Sequence, residues 1–315
     1  MATVLVTGGA GFIGSHLTEI LLKQGHQVRV LDNFSTGKKG NLIFERPNPS
    51  LEVINGDVRE LRDCQKAVAG IDYVFHEAAL ASVQRSVEDP LTTHAVNVGG
   101  TLHILMASRE AGVKRVIYAS SSSVYGDTPV LPKHEEMPPS PLSPYALQKN
   151  IGEQYCRLFS QLYGLETLSL RYFNIFGPKQ DLTSVYSAVI PKFIDAFVQG
   201  RSPIVYGDGE QSRDFTYVEN VVEANLLAMA VSHGRGEAMN IAYGQRTSLN
   251  QLLETLQRIL GSKVKPVYQD PRPGDVKHSL ADIGEAIAFL RYQPRVDIEA
   301  GLKRTAEYFE KQVRR

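Results

Sequence analysis

Thr7-Gly8-Gly9-Ala10-Gly11-Phe12-Ile13-Gly14 follows the short run Val4-Leu5-Val6 and opens a segment with apolar residues at helical spacing. Glycines there permit a tight turn and a close approach of backbone N–H groups to a pyrophosphate, while the helix N-terminus adds partial positive charge. The spacing is G-x-x-G-x-x-G rather than the commoner G-x-G-x-x-G, and the strand–turn–helix setting makes a dinucleotide site the reading. Gly8, Gly11, Phe12, Ile13 and Gly14 are therefore assigned to a cofactor. Asp32 closes the second strand, where a carboxylate can accept hydrogen bonds from an adenosine ribose and repel a 2′-phosphate, which favours NAD over NADP. Asp57 and Val58, just past the third strand, suit the reading of an adenine amino group, and Asp57 equally suits the N-cap of the next helix.

Outward from this turn, β-branched runs alternate with amphipathic segments, the pattern of βαβ units. Strands are expected at 4–7, 27–31, 51–55, 73–76, 115–120 and 167–171, with helices at 13–24, 60–68, 91–111 and 145–163. A doubly wound parallel α/β sheet follows, with helices on both faces. Beyond Gly177 the rhythm changes to helices at 190–198, 221–231, 249–260 and 300–313, separated by Gly-, Asp- and Pro-rich turns. The expected division is a dinucleotide-binding unit over 1–176 and a smaller substrate cap over 177–315, with some return of the chain to the first unit.

The 315 residues suffice to bury a core without staples, and 43% hydrophobic with 22% charged residues is ordinary for a globular chain. With 34 basic and 34 acidic residues no global field attracts nucleic acid or anionic lipid. Cys64 and Cys156 stand far apart, so neither a disulfide framework nor a metal site is expected, and both read as buried thiols of a reducing cytoplasm. The first residues lead directly into the glycine turn, so no leader is expected, and no apolar run reaches the ~18 residues of a membrane span.

Tyr145-Ala146-Leu147-Gln148-Lys149 places a phenol and an ammonium one helical turn apart on one face. A neighbouring cation favours phenolate, so Tyr145 is expected to have a lowered pKa and to act as a base. Ser120-Ser121-Ser122-Ser123-Val124-Tyr125-Gly126, at the carboxyl end of the fifth strand, points hydroxyl groups toward the same crevice.

With these segments the chain resembles the extended short-chain dehydrogenases/reductases, specifically the nucleotide-sugar 4-epimerases. The resemblance also rests on 32–37 (Asp-Asn-Phe-Ser-Thr-Gly), His76-Glu77-Ala78-Ala79, Arg171-Tyr172-Phe173-Asn174, Arg213-Asp214-Phe215 and Arg272-Pro273-Gly274-Asp275, and it spans essentially the whole chain. It implies that Asn33, Ser35, Thr36 and Gly37 border the adenosine, that Ala78 and Ala79 line the cofactor channel, and that Asn97, Tyr172 and Lys149 help hold NAD. It implies Ser121, four before Tyr125, as the hydroxyl assisting Tyr145. On the substrate side it implies Arg213 and Arg272 on a diphosphate, Tyr206 stacked on uracil, Asp275 on the uridine ribose and backbone near Ala188 and Val189 at the base edge. Transient oxidation at C4′ of a UDP-sugar and return of the hydride to the opposite face follow from the resemblance, with no net redox.

Related dehydratases carry an Asp-Glu pair where this chain has Ser122 and Ser123, and related decarboxylases a Glu, so epimerisation alone is expected. The family's size gate, four residues after the Arg-x-Gly-Asp aspartate, is Ser279, small enough for an N-acetyl group. Ser122, Asn174, Gln180 and Ala188 resemble the bacterial UDP-N-acetylglucosamine 4-epimerases, which makes UDP-GlcNAc/UDP-GalNAc the leading pair. Ala81 departs from their usual Gly, so UDP-Glc/UDP-Gal stays open, as does which of Ser121 and Ser122 meets the reacting hydroxyl. Asn174, where glucuronate epimerases typically have Thr, lowers that alternative. A non-catalytic NAD module and a net oxidoreductase are the competing classes. The family also implies a homodimer through the helices at 91–111 and 145–163.

Overall fold

The computed structural model describes residues 1–44, 48–181, 188–271 and 277–313. Six strands expected from the sequence form: β1 (Thr3–Thr7), β2 (Gln27–Asp32), β3 (Leu51–Asn55), β4 (Tyr73–His76), β5 (Arg115–Ser121) and β6 (Glu166–Tyr172). A seventh, Glu237–Ile241, joins β6, and the order is Glu237–Ile241, β6, β5, β4, β1, β2, β3, with every neighbouring pair parallel. The order reverses between β1 and β4, which opens a crevice at their carboxyl ends, at Thr7 and His76.

Both faces are covered. Helix α1 (Phe12–Lys23) and the helix Val218–Ala230 bury Val6, Leu17, Phe75, Leu170 and Val221 on one side. On the other, α2 (Leu61–Val68), α5 (Gly100–Glu110) and α6 (Pro144–Tyr163) bury Leu5, Val74, Ile104, Tyr118 and Phe159. Two short helices, α3 (Val83–Glu88) and α4 (Pro90–His94), precede a π-helical turn, Ala95–Gly99, that runs into α5. Burial of strands on both faces is why they read as apolar runs rather than as alternation.

A second core packs Phe176, Phe193, Phe215, Leu252 and Phe309 between the helices Val189–Val198, Leu249–Leu260 and Ile298–Val313. Between the first and second of these helices the chain returns to the main sheet: Val218–Ala230 packs on α1 and Glu237–Ile241 extends the sheet beside β6. Glu237–Ile241 was not legible as a strand because Glu-Ala-Met-Asn-Ile carries one β-branched residue, and its place comes from pairing with β6.

Candidate active site

A cleft of about 1050 Å³ runs along the carboxyl edge of the sheet, from the glycine turn at one end to Arg213 and Ser279 at the other. Beside the latter, a chamber of about 250 Å³ is lined by Val189, Phe193, Tyr206, Arg213 and Phe215.

The glycine turn is closed by backbone. Gly8 has φ +66°, and a Cβ there would lie 2.8 Å from the Ala78 backbone; one on Gly14 would lie 2.3 Å from the Gly8 carbonyl oxygen. Only glycine fits either position, and the result is an open helix N-terminus facing a cavity wide enough for a pyrophosphate. Asp32 accepts from Ala10 N at 2.9 Å and Phe34 N at 2.8 Å, so its carboxylate braces the glycine turn as well as facing the cleft. Asn33, Ser35, Thr36, Gly37, Asp57, Val58, Ala78 and Ala79 line the same end. The residues present fit an adenine dinucleotide: glycine backbone for the phosphates, a strand-end carboxylate for a ribose, and alanines where bulk would block the channel.

One expectation at this end is corrected. Asp57 does not cap α2, whose N-cap is Glu60; instead Asp57 pairs with Arg59 at 2.7 Å and accepts from Asn33 Nδ2 at 2.8 Å. The bonds from Arg59 hold its pKa down to about 2. Asn97 is buried behind the cleft wall: its Oδ1 accepts from Leu80 N at 2.8 Å and its Nδ2 donates to Gln148 Oε1 at 2.8 Å. These bonds tie Asn97 to the 78–80 loop that lines the cleft, and the π-helical turn is what aims it there.

At the catalytic end, Ser143 N-caps α6 by accepting from Ala146 N at 3.2 Å, and Pro144 occupies the first position. Tyr145 thus sits in a firmly started first turn and faces the cleft, with Lys149 below it. The Ser121 hydroxyl stands close enough to the Tyr145 phenol to favour its ionised form. Lys149 Nζ donates to the Ala119 carbonyl at 2.6 Å and lies 5.9 Å from the Tyr145 ring centre. The expected lowering of the Tyr145 pKa does not occur in this arrangement. Burial pushes it up to about 12, the Ser121 hydroxyl opposes this, and the nearby Glu77 carboxylate adds to it. Burial also pulls Lys149 down to about 8, against the attraction of Glu77 and Glu153.

The four serines divide their work. Ser120 donates to Glu153 in a short bond, Ser121 meets Tyr145, and all four line the cleft; the Ser123 hydroxyl is buried with no protein partner. Tyr172 lines the cleft and donates to Glu77 Oε1 at 2.8 Å. Asn174, with φ +39°, stands between the cleft and the chamber. Gln180 is tied to Gly177 N at 3.2 Å and to the Ile175 carbonyl at 3.1 Å, so it shapes the wall more than it offers a free amide. Ala188 and Val189 begin a helix whose first N–H groups face the chamber. Ser279 is fixed by its N–H to the Ser212 carbonyl at 3.0 Å. Arg272 and Asp275 lie outside the described residues.

Sequence reasoning gave no role to several residues that build the site. Asp214 turns inward beside Arg213 and gathers Tyr243 N, Gly244 N and Ala281 N at 3.1 to 3.2 Å, which anchors the Ser279 segment. Lys133 lines the cleft near Ser279 and donates to the Thr128 carbonyl. Glu153 and Arg171 form a buried ion pair at 2.8 Å behind Ser120. Glu153 was legible in principle, one helical turn beyond Lys149; the others needed the fold. Among the described residues there is no cluster of His, Cys, Asp and Glu fit for a metal ion, and no helix is long and apolar enough to cross a membrane.

Residues 4–242 match the model of the NAD dependent epimerase/dehydratase family. The chain belongs to this family. It is an extended short-chain dehydrogenase/reductase of the nucleotide-sugar epimerase type, an isomerase that uses NAD. A UDP-N-acetylglucosamine 4-epimerase from Methanobrevibacter ruminantium, solved in complex with UDP-N-acetylmuramic acid, is 43% identical over 99% of both chains, with a TM-score of 0.95. A UDP-glucose 4-epimerase from Thermus thermophilus, solved as a complex with NAD, is 35% identical over 98% of both, with a TM-score of 0.88. A UDP-glucose 4-epimerase from Mycolicibacterium smegmatis is 37% identical over 97% of both chains. As a member of the family, the chain joins its cofactor turn and its Ser121–Tyr145–Lys149 end in a single cleft.

Proposed function

We propose that this epimerase interconverts UDP-N-acetylglucosamine and UDP-N-acetylgalactosamine by inverting C4′, and that it also accepts UDP-glucose and UDP-galactose. Ser279 carries the acetamido reading. A small side chain on a backbone-anchored segment of the cleft wall leaves room beside the 2′-substituent where a large ring would fill it. The likeness to the Methanobrevibacter enzyme supports the same reading. Ala81, which lines the cleft where acetamido enzymes tend to have Gly, favours a second reading in which the plain hexoses are preferred.

When bound, NAD supplies the hydride acceptor and donor for C4′ of the sugar. Tyr145 takes the proton of the 4′-hydroxyl and gives it back, with Ser121 aligning the phenol. The Lys149 ammonium favours the phenolate and is itself steered by the Ala119 carbonyl. Arg213 meets the diphosphate, the chamber holds the uracil against Tyr206 and the helix start at Ala188 and Val189, and Ser122, Asn174 and Gln180 border the sugar. Arg272 and Asp275 are assigned to the diphosphate and the uridine ribose on the family pattern alone. The cofactor stays bound through the cycle.

Proton NMR of the purified protein with UDP-GlcNAc, and separately UDP-Glc, tests this. Anomeric signals of UDP-GalNAc, with no growth of absorbance at about 340 nm, are expected. Conversion of UDP-Glc alone refutes the acetamido reading. Conversion of neither with NAD supplied moves UDP-glucuronate forward.

We also infer a homodimer through the helical face of α3 to α6, where Val87, Leu91, Leu158 and Leu162 are 63%, 83%, 45% and 67% exposed. Such a band of large apolar side chains is costly to leave in water. Two free, buried thiols and a nucleotide cofactor accord with a cytoplasmic protein.

A further inference from the structure

Tyr118, on β5 one residue before Ala119, has no part in the steps above. The Lys149 ammonium nitrogen lies over its ring, 5.0 Å from the ring centre, against 5.9 Å for the ring of Tyr145. Among the described residues that ammonium makes a single hydrogen bond, to the Ala119 carbonyl at 2.6 Å. Lys149 is only 3% exposed, so water does little for its remaining N–H groups. The electron-rich face of an aromatic ring is then the other source of stabilisation for the buried cation.

Two contacts fix the Tyr118 ring. From β4, His76 stacks on it with 5.9 Å between ring centres and 29° between planes, and His76 is itself held by Thr7 Oγ1 at 2.7 Å and Thr101 Oγ1 at 3.0 Å. On α6 the phenol end meets Gly152, one turn beyond Lys149, where a Cβ would lie 2.2 Å from Tyr118 Oη and 2.4 Å from Cζ. A side chain at 152 would displace the ring, which accounts for a glycine inside a helix that glycine otherwise weakens. The Tyr118 hydroxyl has no hydrogen-bond partner among the described residues, so what this side chain supplies is its ring. Around the ammonium the carboxylates are Glu77 from β4 and Glu153 from α6, the latter matched by Arg171 at 2.8 Å. Burial keeps His76, Tyr118, Tyr145 and Cys156 neutral.

We propose that Tyr118 is a positioning residue that seats the Lys149 ammonium against its ring face, so that the cation stays charged and stays beside the Tyr145 ring. The Ala119 carbonyl sets one direction of the ammonium and the preceding residue supplies the surface beneath it, so β5 presents both from adjacent positions. Burial already loosens the Lys149 proton, to about 8, and loss of the ring's attraction would loosen it further. The proposal deepens the reaction set out above and rests on the reading that the Lys149 ammonium assists Tyr145.

The test is carbon-13 NMR of the NAD-loaded protein labelled at lysine Cε, with Lys149 assigned through Lys149→Met and no sugar present. Tyr118→Phe keeps the ring and is expected to hold the Lys149 midpoint at the parent value. Tyr118→Leu removes the ring and is expected to lower the midpoint by about one pH unit, which is about tenfold in the protonation equilibrium. Should Tyr118→Leu fail to fold, monofluoro- and trifluorophenylalanine placed at position 118 keep the shape of the Phe side chain while drawing charge from the ring face, and the midpoint is expected to fall stepwise. An unmoved midpoint in Tyr118→Leu or across the fluorinated series, or a shift in Tyr118→Phe as large as that in Tyr118→Leu, overturns the proposal. With whichever of UDP-GlcNAc and UDP-Glc is turned over, the alkaline limb of the rate is expected to move with the midpoint. A limb that stays while the midpoint moves keeps Tyr118 as the seat of Lys149 and defeats instead the reading that the ammonium assists Tyr145.

Discussion

Lys149 Nζ donates to the Ala119 carbonyl at 2.6 Å and lies 5.9 Å from the ring centre of Tyr145, one turn back. The ammonium is thus held by backbone below the ring, while the Ser121 hydroxyl stands beside the phenol. Tyr145→Phe removes the proton acceptor and leaves the ring. Turnover should fall by at least about 10²–10⁴-fold, while NAD content, read after gel filtration, should match the parent. Undiminished turnover would remove Tyr145 as the base.

Ser279→Tyr tests the size gate. Ser279 sits on a segment whose main chain is tied to Ser212 and, at Ala281, to Asp214, so the backbone cannot shift to make room for a large ring without breaking those bonds. UDP-GlcNAc turnover should be lost and UDP-Glc turnover spared, measured by NMR under identical conditions. Equal retention of both would take Ser279 out of the specificity determinants.

The cofactor end was legible because its chemistry is written in backbone requirements: Gly8 and Gly14 admit no Cβ, and a carboxylate must end β2. The Tyr145–Lys149 pair was legible from a four-residue spacing. What the sequence did not disclose is how buried groups share charge. Lys149 was expected to depress Tyr145, but burial raises the phenol and the Glu77 carboxylate adds to the rise. Nor did it disclose that a π-helical turn ties Asn97 to Leu80 and Gln148. Such outcomes depend on contacts distant in sequence, which periodicity cannot report.

The ion pair behind the serine run should matter for stability. Arg171 Nη2 lies 2.8 Å from Glu153 Oε2, and Arg171 also donates to the Tyr125 hydroxyl at 2.7 Å. Arg171→Met strands a buried carboxylate and should cost about 3–5 kcal/mol in chemical denaturation. Adding Glu153→Met should recover much of that loss. A double variant as unstable as the single would mean that packing, not charge, dominates there.

His76 gives the acid limb a sign. Burial lowers its pKa to about 3, so between about 6.5, its unfolded value, and that point the unfolded chain binds a proton that the native one refuses. Stability from this group is complete above the unfolded pKa and is lost as pH falls toward the folded one. Glu77, raised by burial, works oppositely, losing stability as pH rises from its unfolded value toward about 7. His76→Asn should therefore flatten the fall of melting temperature on acidification relative to the parent. An identical slope in both would exclude His76 as the group responsible.

Cofactor retention is expected to depend on contacts at the adenosine end. The segment 177–181 lines the cleft and is tied beside it: Lys179 Nζ meets Glu19 Oε2 at 3.2 Å, Asp181 meets Lys38 Nζ at 3.0 Å, and the Pro178 carbonyl meets His16 Nε2 at 2.9 Å. We expect release of a dinucleotide to require this segment to part from α1. The Lys179 pair is partly shielded and the Lys38 pair lies largely in solvent, so salt should weaken the second more. Lys179→Met should speed NAD loss by up to about fivefold, read as NAD remaining with the protein after timed gel filtration. Loss at the parent rate would mean that this segment does not gate the cofactor and that the glycine turn and Asp32 alone retain it.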